Sequence, residues 1–305
     1  MKKLFTSLAI MAISTAFGQE IKTERLHEIV STLASDEMKG RKVGTEENLK
    51  AAQYISNWFK ANNLEYCAGN SYLVPFTLKD MTVYNVCGIK KGESGKYIGI
   101  GAHFDHVGEK KTKTEDSIFN GADDNASGVS VVVGLADYFK TKKVKDGLVF
   151  MAFNAEEIGL VGSRELANDA HFDPIVKNMK VLFNFEMLGT ESAFGPNAVY
   201  MTGDDFSNLD EELNKFAANN LKIAADPYKE HQLFYRSDNA NFAKKGVVAH
   251  SFSTVNMEKQ KHYHQVNDEI SIINFSNLTT LANSFAKTIE KFLQANPKIE
   301  YNKKP

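Results

Sequence analysis

The chain has 305 residues, and 36 Lys and Arg against 38 Asp and Glu leave a formal charge of −2, with 43% hydrophobic and 24% charged residues. This balance excludes a disordered chain and a disulfide-built miniprotein. With no Lys/Arg-rich block, it also argues against a nucleic-acid protein, which needs a basic stripe to displace counterions.

The first residues read apart from the rest. Lys2 and Lys3 precede an apolar run from Leu4 to Phe17, with Ala16 and Gly18 ahead of Gln19, the pattern of a secretory signal peptide. The run falls short of the roughly 20 residues of a membrane span. Residues 1–18 are therefore expected to be removed, leaving residues 19–305 in the periplasm or medium without a membrane attachment.

From Thr23 to Leu64 the pattern is helical, with Thr45 as an N-cap, Glu46 and Glu47 in the first turn, and Leu49, Ala52, Ile55 and Phe59 at helix spacing. Cys67 and Cys87, the two cysteines, flank an extended, strand-like stretch. A disulfide and a pair of small buried hydrophobes are both open at this point. Strand-like segments at 97–102, 147–154, 181–186 and 246–253 then alternate with helical ones from Ser127, near Leu160 and from Ser207. That order predicts an α/β fold, a largely parallel sheet covered on both faces. Phe275, Leu278, Leu281, Phe285, Ile289 and Phe292 recur at steps of three and four, predicting a long amphipathic helix. The tail after Pro297 is expected to fray. Without an internal repeat or low-complexity linker, one domain is the simpler reading.

In open α/β sheets ligands bind beyond the carboxyl ends of the strands, and those positions are polar here. One strand runs into His103, Asp105 and His106, another into Glu156 and Glu157, a third into Glu186. GADDNASG places Asp123 and Asp124 ahead of a helix, and KHYHQVND brings His262 and His264. Any one carboxylate could be a helix cap, but five such clusters cannot all be caps. Converging carboxylates repel unless a cation neutralises them, so the pattern predicts bound metal. Nitrogen and oxygen donors without thiolate suit zinc, and four or five donors suit two ions sharing a bridging carboxylate.

The ordered series AHFDHVG, GADDNASG, NAEEIGLVGS, NFEMLG and HYHQVND resembles the co-catalytic di-zinc exopeptidases of metallopeptidase family 28, the group of the secreted bacterial aminopeptidases. LASDEMKGRKVGTEEN and YRSDNANFAKKGV extend the likeness over nearly the whole mature chain. The resemblance implies a single-domain, three-layer α/β/α sandwich on a mixed, mainly parallel sheet. It gives His103 and Glu186 to one zinc, Glu157 and His264 to a second, Asp124 as the bridge, and Glu156 as general base. Asp105, two residues after His103, is placed to hold the other ring nitrogen. Tyr263 is a candidate donor to an oxyanion or a packing tyrosine. Asp123 reads as a loop or capping residue, His106 and His262 as bystanders, and His27, His171 and His231 as surface residues. The family most often has Asp where this chain has Glu186.

The implied substrates are peptides with a free N-terminus. The metal motifs have no neighbouring Arg except Arg236 to grip a C-terminal carboxylate, which favours an aminopeptidase. A zinc-dependent glutaminyl cyclase on the same fold is the alternative, although its bridging motif runs nearer GATDSA. The resemblance further implies a cis peptide bond between Asp124 and Asn125.

Overall fold

The computed structural model describes residues 20–111 and 116–305; the expected signal peptide lies outside them. The segment that reads as continuously helical is two helices, α1 (Thr23–Leu33) and α2 (Glu46–Ala61), separated by a 3-10 turn over Asp36–Arg41. Thr45 caps α2 as expected, its side chain accepting from the Asn48 amide. Leu49, however, is exposed, and Asn48 faces inward instead. Strands β1 (Glu65–Tyr66), β2 (Leu73–Leu78), β3 (Met81–Lys90) and β4 (Tyr97–His103) follow, then the short pair β5 (Gly108–Glu109) and β6 (Ile118–Phe119). An irregular helical turn over Ala122–Ser127 leads into α3 (Gly128–Phe139), and β7 (Gly147–Phe153), α4 (Val161–Asn168), α5 (Asp173–Lys177) and β8 (Met179–Phe185) come next. The chain continues through β9 (Ala198–Met201), α6 (Leu209–Phe216), β10 (Lys222–Ala225), α7 (Asn239–Ala243), β11 (Val248–Ser253) and α8 (Phe275–Ala295).

Nine strands form one mixed sheet in the order β1-β3-β7-β4-β8-β11-β9-β10, with β2 added on β3. Its centre, β7-β4-β8-β11, is parallel, while β3 on β7 and β9 on β11 are antiparallel. Pro75 sits in β2, an edge strand where a missing N–H is tolerated. The centre reads as continuous apolar runs because both faces are covered. Leu148, Phe150 and Ala152 face the larger core with α1, α2, α3, α6 and α8, and Val149, Met151 and Phe153 face a second core with α4, α5 and α7. On β4 the second face carries Gly99 and Gly101. A Cβ at Gly101 would stand 2.6 Å from the Phe153 ring, so the aromatic layer closes only because that side chain is absent.

The stripe of α8 is buried through Leu278, Leu281, Phe285, Ile289 and Phe292. The tail beyond it is held rather than frayed. Tyr301 bridges to Ser207, and its hydroxyl donates to the Val247 carbonyl at 2.6 Å while accepting from the Ala249 amide at 3.2 Å. Its side chain supplies an anchor that composition alone does not signal. His27, His171 and His231 are on the surface as expected.

Two cross-links brace the fold. Cys67 and Cys87 are joined as a disulfide with a Cα–Cα distance of 5.6 Å, within the usual range. Arg41 is fully buried and donates to four main-chain carbonyls: Phe104 at 2.7 Å, Asn120 at 2.6 Å, Gly121 at 2.9 Å, and Leu33. It thereby ties α1, the end of β4 and the turn before α3 together.

The double variant Cys67→Ser/Cys87→Ser should keep its far-UV circular dichroism while losing about 3 kcal/mol in urea unfolding, the loop-closure value for a cross-link of this span. Arg41→Met should cost more, about 3–5 kcal/mol, because it strands carbonyls and removes a buried cation. An Arg41→Met variant within 1 kcal/mol of the parent would refute the brace.

Candidate metal centre

Since β7, β4 and β8 are parallel neighbours, their carboxyl ends open on one side of the sheet. His103 is the last residue of β4, Glu186 follows β8, and Glu156 and Glu157 lie just beyond β7. The turn over Ala122–Ser127 brings Asp124 across from the α3 side, and the loop after β11 returns His264. Sharp turns aim these groups. Ala155 ahead of Glu156 has φ 57°, Met187 after Glu186 has φ 48°, and His264 itself has φ 54°. Left-handed conformations at non-glycine residues cost of order 1–3 kcal/mol each and persist where surrounding structure over-determines them. The Asp124–Asn125 peptide bond is cis.

Two donor groups result, each with ligand atoms within 4.8 Å of one another: His103, Asp124 and Glu186, and His106, Asp124, Glu157 and His264. Asp124 belongs to both. Its Oδ1 lies 3.3 Å from His103 Nε2, and its Oδ2 lies 3.3 Å from His264 Nε2. Glu186 Oε1 is 3.1 Å from His103 Nε2, and Glu157 Oε2 is 2.8 Å from His264 Nε2. All five residues expected to hold metal are thus drawn together. His106, expected to stand by, is among them, with Nδ1 2.7 Å from Glu157 Oε1.

The donor set fits divalent zinc. Asp124 Oδ2 is buried without a hydrogen-bond partner among the described residues, a costly condition unless a cation claims it. Nitrogen and oxygen donors in groups of three and four are the chemistry of zinc sites.

Supporting groups occupy the rear. His103 Nδ1 faces the main-chain carbonyl of Asp105 at 3.1 Å, while the Asp105 carboxylate stands 3.9 Å from it. Asp105 thus meets the ring nitrogen through its main-chain carbonyl, with the carboxylate at ion-pair distance. That carboxylate also accepts the amides of Glu156 at 3.0 Å and Glu157 at 3.3 Å and shapes that turn. Asp268 does the same for the bridge, accepting the amides of Asp123 at 2.7 Å and Asp124 at 3.0 Å. Asp123 pairs with His262 Nε2 at 2.9 Å and accepts the Gly189 amide at 2.7 Å. Neither joins a donor group, yet they form one buried pair behind Asp124. Burial opposes charge on His262, but the hydrogen bond to Asp123 and the charges of Asp123, Asp268 and Asp124 together outweigh it and raise the imidazole pKa. Asp268 and Arg41 were not singled out in the sequence. The last position of HYHQVND and the Arg of LASDEMKGRK are signals that only the folded contacts make readable.

Glu156 lines the cleft over His103, Asp124 and Glu186. Among the described residues no side-chain hydrogen bond or ion pair occupies its carboxylate. Burial first, and then the charges of Glu186, Asp238 and Glu157 against that of His103, push it well above the ordinary carboxyl range. Met187, Leu233, Val255 and Met257 give the cleft an apolar wall. Tyr263 stacks on His264 with ring centroids 3.9 Å apart, so it packs and borders the cleft at once.

The sequence profile of Peptidase family M28 matches residues 85–289. Aminopeptidase YwaD of Bacillus subtilis is 31% identical over 173 residues, covering 53% of this chain and 36% of that protein, so the chain spans little more than a third of that relative's length. Among solved structures, BSAP, a zinc aminopeptidase from Bacillus subtilis, superposes with a TM-score of 0.71 at 18% identity, covering 91% of this chain and 97% of that one. The Bacteroides thetaiotaomicron glutaminyl cyclase bound to N-acetylhistamine gives 0.70 at 16%, covering 89% and 98%. These two likenesses are of fold. With the family profile matching well over half of its length, on this sheet and with these strand-end motifs, the chain belongs to Peptidase family M28.

Proposed function

We propose that the chain is an exported aminopeptidase that uses two zinc ions to remove N-terminal residues from peptides. The observation that carries the reading is Asp124, whose two oxygens face two separate donor groups. His103, Asp124 and Glu186 would hold one ion, and Asp124, Glu157 and His264 the other. When bound, zinc supplies Lewis-acid chemistry, acidifying water and polarising a carbonyl.

The remaining work falls to the chain. Glu156 has an uncommitted carboxylate in the cleft, takes the proton of the attacking water and delivers it to the leaving amine. Its raised proton affinity suits a group that must hold a proton between those steps. Tyr263 borders the cleft beside His264, and its hydroxyl donates to the developing oxyanion. The apolar wall of Met187, Leu233, Val255 and Met257 receives the N-terminal side chain. Export rests on the signal-like residues 1–18, and the Cys67–Cys87 disulfide agrees with an oxidising compartment.

A glutaminyl cyclase is the second reading, supported by the fold likeness to the Bacteroides enzyme. Two assays on the purified chain separate the readings: hydrolysis of aminoacyl-anilides with and without chelator, and cyclisation of N-terminal glutaminyl peptides. Chelator-sensitive hydrolysis with a metal-to-protein ratio near two is the expected result. Cyclisation without hydrolysis would overturn the proposal.

Chelation should abolish activity and leave most of the fold, because both cores lie inside the sheet layers and the donors at its edge. A chelated sample that unfolds cooperatively at room temperature would contradict this. Glu156→Gln should retain both metals, measured by elemental analysis, and lose about 10² to 10⁴ in rate. Loss of a zinc from that variant would mean that Glu156 and Glu157 have exchanged roles.

A further inference from the structure

His106 stands apart from the other buried histidines in where its ring points. It is 1% exposed, three residues after His103 and beyond the end of β4. Its Nδ1 turns into the second donor group, 2.7 Å from Glu157 Oε1 and 3.6 Å from Asp124 Oδ2. The ring lies across from that of His264 at 66°, centroids 5.6 Å apart. Gly121, at φ 61°, backs it so closely that a Cβ there would fall 2.6 Å from the ring carbons Cγ and Cδ2. The imidazole is therefore seated, with Nδ1 aimed and Nε2 sealed away from any partner among the described residues.

That aim has two chemical explanations. Nδ1 could carry a proton and donate it to Glu157, orienting a carboxylate that binds metal. It could instead present its lone pair, which needs a cation between it and the two carboxylates it faces. The second accounts for more of the geometry. Donors at zinc–ligand distances of roughly 2.0–2.2 Å around a tetrahedral ion stand about 3.3–3.6 Å apart. Asp124 Oδ2 lies at 3.3 Å from His264 Nε2 and 3.6 Å from His106 Nδ1, while Glu157 sits closer to both, one oxygen 2.8 Å from His264 and the other 2.7 Å from His106, so the two imidazoles face the same carboxylates alike. A purely orienting bond to Glu157 gives no reason for Nδ1 to keep that distance from Asp124.

We propose that His106 is a fourth protein ligand of the second ion, so that the two metal sites are unequal. This rests on the reading of the cluster as a zinc centre. The His106, Asp124, Glu157 and His264 site is filled by the chain itself and holds its ion tightly. The His103, Asp124 and Glu186 site has three protein donors, keeps a position open and releases its ion first. Zinc sites divide in the same way between closed four-donor and open three-donor sets.

The test uses the mature chain with zinc or cobalt alone as probe and does not depend on turnover. Histidine labelled with ¹⁵N in the zinc-loaded wild-type protein should show three metallated imidazoles, His106 bound through Nδ1. Its Nε2–H should exchange slowly because it is sealed. Stepwise chelation should remove one ion well before the other. His106→Gln should weaken the tighter site more than about 100-fold, beyond the 10–100-fold that loss of an orienting partner costs. Glu186→Gln should weaken the other site instead.

Only two metallated imidazoles in the wild-type protein, or a loss in His106→Gln within the orienting range, would overturn the proposal. The wild-type spectrum decides the matter even if His106→Gln fails to fold. A wild-type chain that takes up no metal would defeat the zinc reading itself, a result distinct from two bound ions and two metallated imidazoles.

Discussion

Like charge held at close quarters is the constraint on which the strand ends are built. Asp124, Glu156, Glu157 and Glu186 converge on one cleft, and in a medium less polarisable than water their repulsion is far larger than at the surface. The chain answers without consuming the oxygens that face the cleft. Arg41 brings a full positive charge toward Asp268, Asp124, Asp105 and Glu157, yet all four of its hydrogen bonds go to carbonyls. It eases the repulsion among them and itself takes no carboxylate lone pair. Burial draws its own pKa down to about 10, which still leaves it charged at neutral pH.

The carboxylates themselves form two tiers. Asp105 and Asp268 commit both oxygens to pairs of main-chain amides, Glu156 with Glu157 and Asp123 with Asp124. They set the course of the two turns from which the front tier projects. A carboxylate that caps two consecutive amides fixes the backbone more tightly than a single hydrogen bond. The front tier can then hold its oxygens close together without relaxing outward into water. Stability and metal readiness therefore come from the same folded arrangement, rather than from separate parts of the molecule.

Which of these features the sequence discloses follows from how local each one is. The central strands and α8 are legible because their apolar periods run over six residues or more, and Thr45 because capping needs only its own helix. β9 and β10, the last two strands on one side of the sheet, are four residues each, too short to carry a period, and nothing in the sequence pattern marks them. The anchored tail hangs on the single side chain of Tyr301. Among site residues, those placed directly at strand ends or next to a helix start were legible from topology and motif. Three of the four Arg41 bonds span 63 to 80 positions of chain and both Asp268 bonds 144 to 145, a relation no spacing rule reaches. His106 has the same difficulty in another form: its residue type is compatible with a bystander, and only Gly121 behind its ring and Glu157 before it give it a direction.

Glu186 shows how a carboxylate one methylene longer than the Asp expected at its position is held. The extra methylene adds about 1.5 Å of reach and one more rotatable bond, so the carboxylate needs a restraint that a shorter side chain would not. Ser237 supplies it, donating its one hydroxyl proton to Oε2 at 2.6 Å while Oε1 is left toward His103. With its single proton given to Glu186, Ser237 can only accept in its remaining bond, which it does from Asn184 at 2.8 Å. Asn184 also donates to Ser251, which donates to Asn239 at 2.8 Å. The proton directions are thus determined from α7 through β11 and β8 to the Glu186 carboxylate. A longer side chain held by a directed, buried network can be as well fixed as a shorter one held by its own backbone. Its position is then set by residues of YRSDNANF, a segment that contributes no donor of its own to either group.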